Sequence, residues 1–194
     1  MIIHNSSTQG FGATGQPSDF ANFVWIVVLM LAGIGGSLII SCVTPFVALA
    51  IALAGTVRLR IALSAMTAIW LLNQLIGFVF FHFPRTPNSV LWGLASCAAA
   101  LLSTVAAATV IKRAVFPMAV RLGLALLSGY AVDEMTLLVS ALFLGGLETF
   151  SPLVIAQIGL VNLLWLVGLV ALNELVAILG KTWLGVTPRL LQAS

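Results

Sequence analysis

The sequence predicts an all-α fold, a polytopic bundle of transmembrane helices, and three observations carry that prediction. Of 194 residues, 61% are hydrophobic and 7% charged. A soluble domain carries roughly 25% charged residues, so this chain cannot clothe itself in a water-facing surface. Its apolar segments repeatedly reach the ~20 residues that span a hydrocarbon core. Runs such as AAALLSTVAAATVI do not alternate in polarity, as the strands of a membrane barrel must. Helices are the other structure that satisfies its own backbone in lipid.

Composition divides the chain into a flexible N-terminal tail (1–20), a membrane domain (21–180) and a C-terminal tail (181–194). The tail MIIHNSSTQGFGATGQPSDF is rich in Ser, Gly, Thr and Gln and holds no Lys or Arg, so it lacks the basic start of a signal peptide. The first apolar block, Ala21 to Val57, is about 37 residues, or ~55 Å as one straight helix. That is nearly twice the hydrocarbon thickness, which predicts a hairpin of two helices. Its turn is expected between Gly33-Ile34-Gly35-Gly36-Ser37 and Ser41-Cys42-Val43-Thr44-Pro45, with Pro45 in the first turn of the second limb. Each limb is short, so one of them can dip only partway.

Arg58 and Arg60 close this block. A third helix is expected over Ile61–Phe81, then a loop with two prolines, Pro84 and Pro87. A fourth spans Ser89–Ile111 and ends at Lys112-Arg113. The fifth runs from about Phe116 to Ala141, a loop holds Gly145, Gly146 and Glu148, and the last runs from about Leu153 to Leu179. With six crossings, Arg58, Arg60, Lys112, Arg113, Lys181 and Arg189 share one side and Arg85 alone takes the other. The positive-inside rule then sets both termini in the cytoplasm of a cell whose plasma (inner) membrane holds the protein. Five crossings are the alternative. The net charge of +3 reads as topology rather than as a nucleic-acid surface.

The fifth helix carries the telling charges: Arg121, Asp133 and Glu134 lie inside an apolar run. A charge at the centre of a membrane helix costs at least ~2.5–3.5 kcal/mol, so it faces protein, water or ligand. Counting from Pro117 at ~1.5 Å per residue, Arg121 lies about 6 Å and Asp133 about 24 Å into the membrane. Gly129, Asp133, Thr136 and Ser140 share one helix face, and Tyr130 and Glu134 the adjoining one. Asn73 and Gln74 reach mid-membrane on the third helix, and Asn162 the outer half of the last. Asn73, Gln74, Asp133, Glu134 and Asn162 are therefore the expected ligand contacts. Arg121 and Glu174 fall at similar depth in the cytoplasmic half and are expected to form a structural ion pair.

Two small-residue stripes point to close helix packing. One is Ser89, Gly93, Ser96, Ala100, Ser103 and Ala107 on the fourth helix. The other is the pair of overlapping AxxxA patterns Ala48/Ala52 and Ala50/Ala54 on the second. Catalytic signatures are missing: no HExxH, GxSxG or phosphate loop occurs. Two histidines are too few for a three-histidine metal site. Cys42 and Cys97 form no CxxC and read as packing residues. The chain is read as neither an enzyme nor a cofactor carrier.

Size, six helices, cytoplasmic ends, an early AxxxA helix and polar residues in the outer half resemble the substrate-binding component of energy-coupling factor vitamin transporters. That resemblance implies binding of a small molecule, a vitamin or related micronutrient, in an outward-facing pocket. It implies uptake powered by a coupling membrane protein and separate ATPases, with Ala48, Ala50, Ala52 and Ala54 touching the coupling partner. Here the alanine pattern falls on the second helix. The chain does not open with the Met-His of the nickel and cobalt members, so no N-terminal metal site is expected. The alternative reading is a non-catalytic structural subunit or assembly factor of a larger membrane complex.

Overall fold

The computed structural model describes residues 19–39 and 44–184. Six α-helices follow one another: α1 (Asp19–Ile39), α2 (Phe46–Thr56), α3 (Leu59–Val79), α4 (Pro87–Arg113), α5 (Met118–Leu144) and α6 (Pro152–Leu184), with one 3₁₀ turn at Leu147–Thr149 before α6. No strand occurs among the described residues. The N-terminal tail up to residue 18, Cys42 and the C-terminal tail from residue 185 with Arg189 lie outside them. Residues 181–184, expected in the tail, continue α6.

Local chemistry sets the boundaries. Thr86 caps α4, its hydroxyl accepting from the Ser89 N–H at 3.2 Å, and Pro87 occupies the first turn, where its missing N–H costs nothing. Lys112 and Arg113 stand in the last turn of α4, against the negative end of its dipole. Helix α3 stops at Val79, two residues short of the expected Phe81. The reason is a tight reversal: His82 takes a left-handed φ of 53°, and the Phe83 N–H folds back to the Gly77 carbonyl at 3.1 Å. The Phe83 ring then lies over Gly77, where a Cβ would stand 2.4 Å from a ring carbon. Helix α5 ends at Gly145 and Gly146, whose φ values of 85° and 93° suit glycine alone.

Helices α3, α4, α5 and α6 each contain a stretch long and apolar enough to cross a membrane. Large apolar side chains, among them Leu75, Leu127, Phe143 and Leu164, stand exposed around them. Water would penalise such a surface, whereas a bilayer is its natural solvent. Consecutive helices run antiparallel. On the α3–α4 seam Trp70 meets Gly93 and Ser96 while Gln74 meets Gly93. On the next seams Ser103 meets Gly129, and Tyr130 meets Ile155 and Gly159. This alternation gathers Arg58, Arg60, Lys112, Arg113 and Lys181 at one end of the bundle and puts Arg85 at the other.

The expected hairpin is present, but its second limb is not a full crossing. Trp25 Nε1 on α1 donates to Thr56 Oγ1 on α2 at 3.1 Å, and Gly33 further along α1 packs on Leu49, so the two limbs run antiparallel. Gly33 and Gly35 stay helical, and α2 opens at Phe46, directly after Pro45. Helix α2 has 11 residues, about 16 Å of rise, half of what a crossing needs. Pro45 at its N-cap and Arg58 beyond its C-cap bracket it. This short helix is the core of the molecule. Every residue from Val47 to Ala54 is buried, and α2 touches all five of the other α-helices.

That position overturns one expectation. Ala48 and Ala50 are 0% exposed, Ala52 3% and Ala54 6%. These alanines pack against the chain's own helices and are unavailable to a coupling partner. The pattern was sound as a sign of close approach, and the surface approached is internal. The second stripe behaves as expected, with Gly93, Ala100, Ser103 and Ala107 buried in the bundle.

Candidate functional site

A helix that begins inside a bundle exposes free backbone N–H groups and the positive end of its dipole to the interior. Helix α2 begins this way. Pro45 holds the N-cap position and gives no side-chain cap, so partners must come from elsewhere in the chain. Helix α6 supplies one: Asn162 Oδ1 accepts from the Ala48 N–H at 3.2 Å, while its Nδ2 donates to the Ile158 carbonyl at 3.0 Å. Asn162 is 3% exposed, one of three buried polar residues among those described. Helix α3 fixes the residue that leads into α2: Thr44 Oγ1 donates to Asn73 Oδ1 at 2.6 Å.

Helices α4 and α5 close the ring. Ser103 Oγ donates to the Gly129 carbonyl at 2.9 Å and lies 3.5 Å from Asp133 Oδ1. Gly129 abuts Val47 in the first turn of α2, where a Cβ would stand 3.3 Å from Val47 Cγ1. Asp133 is one turn further along α5 on the same face. Asn73 and Asn162 thus reach one short stretch, Thr44 to Ala48, and Asp133 meets Ser103 one turn beyond the contact of Gly129 with Val47. At ~1.5 Å per residue, Val47 lies about 16 Å from Arg58 and Ser103 about 15 Å from Arg113, near the middle of a ~30 Å hydrocarbon layer.

The other expected ligand contacts lie elsewhere. Gln74 is 100° around α3 from Asn73 and faces the α3–α4 seam. Its amide oxygen sits against Gly93, beside Trp70 Nε1, which donates to the Gly93 carbonyl at 2.9 Å. Glu134 sits next to the Tyr130 hydroxyl, which itself donates to the Ile155 carbonyl of α6. Glu134 is therefore a neighbour of the site through α5, with its hydrogen-bonding contact at Tyr130. The hydroxyls of Thr136 and Ser140 bond back to the Val132 and Thr136 carbonyls of their own helix.

The expected ion pair does not form among the described residues. Arg121 Nε donates to the Phe116 carbonyl at 2.7 Å, closing the α4–α5 connection, and Glu174 Oε1 is buried without a hydrogen-bond partner. Equal depth, the basis of that expectation, says nothing about facing. Two contributors escaped the sequence reading, Thr44 and Ser103. Thr44 was visible as the residue before Pro45, and Ser103 as a member of the α4 stripe, but both were assigned to turn and packing. No family model, curated protein or solved structure matches this chain.

Proposed function

We propose that this protein is an integral membrane protein that binds a small polar molecule at the buried start of α2, for uptake. The carrying observation is a half-length central helix that begins in mid-bundle and is ringed by polar groups from α3, α4, α5 and α6. Interrupted helices of this kind offer dipole ends and backbone groups to substrates near the bilayer midplane. Among the described residues the neighbours of Asp133 are Ser103 and Glu134, with no ion pair to either carboxylate, so the favoured ligand bears an amine or other positive group. With Arg58, Arg60, Lys112, Arg113 and Lys181 at the cytoplasmic end, α3–α6 cross the plasma membrane. The α1–α2 hairpin then enters and leaves from the cytoplasm and keeps both termini there, the parity expected of six crossings. The chain has no phosphate-binding loop, so ATPase and coupling subunits would supply the energy, as in the vitamin transporters it resembles.

Isothermal titration of purified full-length protein with thiamine as a cationic vitamin and biotin as an anionic one tests this reading. The expected result is saturable binding of the cationic probe, weakened about tenfold by Asp133→Asn, the loss of one charged hydrogen-bonding partner. Gln74→Leu is expected to leave it unchanged. Absence of binding by either probe, or equal affinity in Asp133→Asn, rejects the reading. One observation favours the alternative of a structural subunit: Asn73 and Asn162 are already bonded within the chain. That alternative predicts co-purification with fixed partners and no titratable ligand.

A further inference from the structure

At the arginine-rich end, an open groove of about 620 Å³ runs between the end of α4 and α5, away from the site at α2. Its walls are apolar in effect. Val110, Leu124 and Leu127 line it, and its two hydroxyls are each bonded to a carbonyl of their own helix: Thr109 donates to the Val105 carbonyl at 2.8 Å and Ser128 to the Ala125 carbonyl at 3.2 Å. The charged group in the lining is Arg113, in the last turn of α4 with Lys112 beside it. Arg113 is exposed and makes no hydrogen bond or ion pair among the described residues. Leu127, at the apolar end, is 69% exposed. The groove thus has a cationic head at the rim of the bundle and an apolar trough running up an outward-facing seam.

We propose that this groove holds one anionic phospholipid, its phosphate on the Arg113 guanidinium and an acyl chain along Leu124 and Leu127. The charge pattern selects this occupant. A guanidinium presents paired donors that match phosphate oxygens, and basic pockets between membrane helices on the cytoplasmic side are suited to acidic headgroups. The apolar trough needs an uncharged chain continuous with that headgroup, which free phosphate lacks. The volume lies within the ~300–1,000 Å³ of small-molecule sites. The groove is independent of any ligand at α2.

Native mass spectrometry of the full-length protein, with phosphatidylglycerol or phosphatidylcholine added in detergent, tests the assignment. Wild type is expected to retain one phosphatidylglycerol in preference to phosphatidylcholine. Arg113→Gln should lower phosphatidylglycerol occupancy about fivefold, the worth of one basic residue near an anionic surface, and leave phosphatidylcholine unchanged. Filling the trough with Thr109→Trp should lower both lipids. Arg60→Gln, an exposed arginine at the same end but outside the groove, should change neither by more than about twofold, since only diffuse attraction is removed. Equal retention of the two lipids by wild type overturns the proposal. So does an equal loss in Arg60→Gln and Arg113→Gln, or displacement of the lipid by inorganic phosphate.

Discussion

Enlarging Ala50 to leucine is expected to destabilise the isolated protein by about 1–3 kcal/mol, the usual cost of forcing extra methylenes into a packed core. Ala50 is 0% exposed on a helix with neighbours on all sides. Small residues let membrane helices approach until backbones nearly touch, and little volume remains for a branched chain. Leu53 and Ile51 on the same helix are also 0% exposed, so a rotation of α2 to relieve the clash would bury a different conflict. Thermal unfolding of the purified protein in micelles, followed by helical circular dichroism, measures the effect. Leu164→Ala, at an exposed position of α6, is the reference and should lie within about 0.5 kcal/mol of wild type. Unchanged unfolding of Ala50→Leu would show that the alanines face outward after all. A loss confined to binding of a coupling partner would show the same.

The helices of this chain were legible because their signals are local. Thr86-Pro87 starts α4, Lys112-Arg113 ends it, Gly145-Gly146 stops α5 and Pro45 opens α2, each through chemistry acting within one turn. Element ends moved by one to five residues, and at the end of α3 the competing signal was tertiary, the Phe83 ring folding over Gly77. The pairing of side chains was legible only in part. Depth follows from counting residues along a helix, and it brought Asn73, Asp133 and Asn162 to one level. Azimuth does not follow, because almost every helix here is apolar on several sides and no amphipathic stripe marks the inward face. Gln74 shares the depth of Asn73 and meets another helix, and Arg121 shares the depth of Glu174 without meeting it. The central place of α2 was hidden for the same reason, since FVALAIALAGT suits a lipid-facing helix as well as a buried one.

Replacing Asn162 with leucine is expected to cost about 1–3 kcal/mol, the penalty for stranding a buried hydrogen-bonding group. Side-chain hydrogen bonds between membrane helices are worth ~0.6 kcal/mol on average, because the separated helices find other partners. The bond at Ala48 differs in what it leaves behind. Its donor is a backbone N–H in the first turn of a helix whose cap is a proline, and the Pro45 carbonyl already accepts from Leu49 at 3.1 Å. Ala48 is 0% exposed, so water cannot replace the lost acceptor. Leucine keeps the branched, four-heavy-atom side-chain skeleton of asparagine, so the substitution removes the bond without leaving a cavity. Asn162→Asp, which keeps an acceptor oxygen and sets a negative charge at the positive end of the α2 dipole, should recover part of the loss. Unfolding in micelles reads the energy, and amide hydrogen exchange reads its location: protection should fall first in the opening turn of α2. Equal stability of Asn162→Leu and wild type would mean that α2 is held by packing alone. The polar ring around its start would then have no structural reason to include an asparagine from α6.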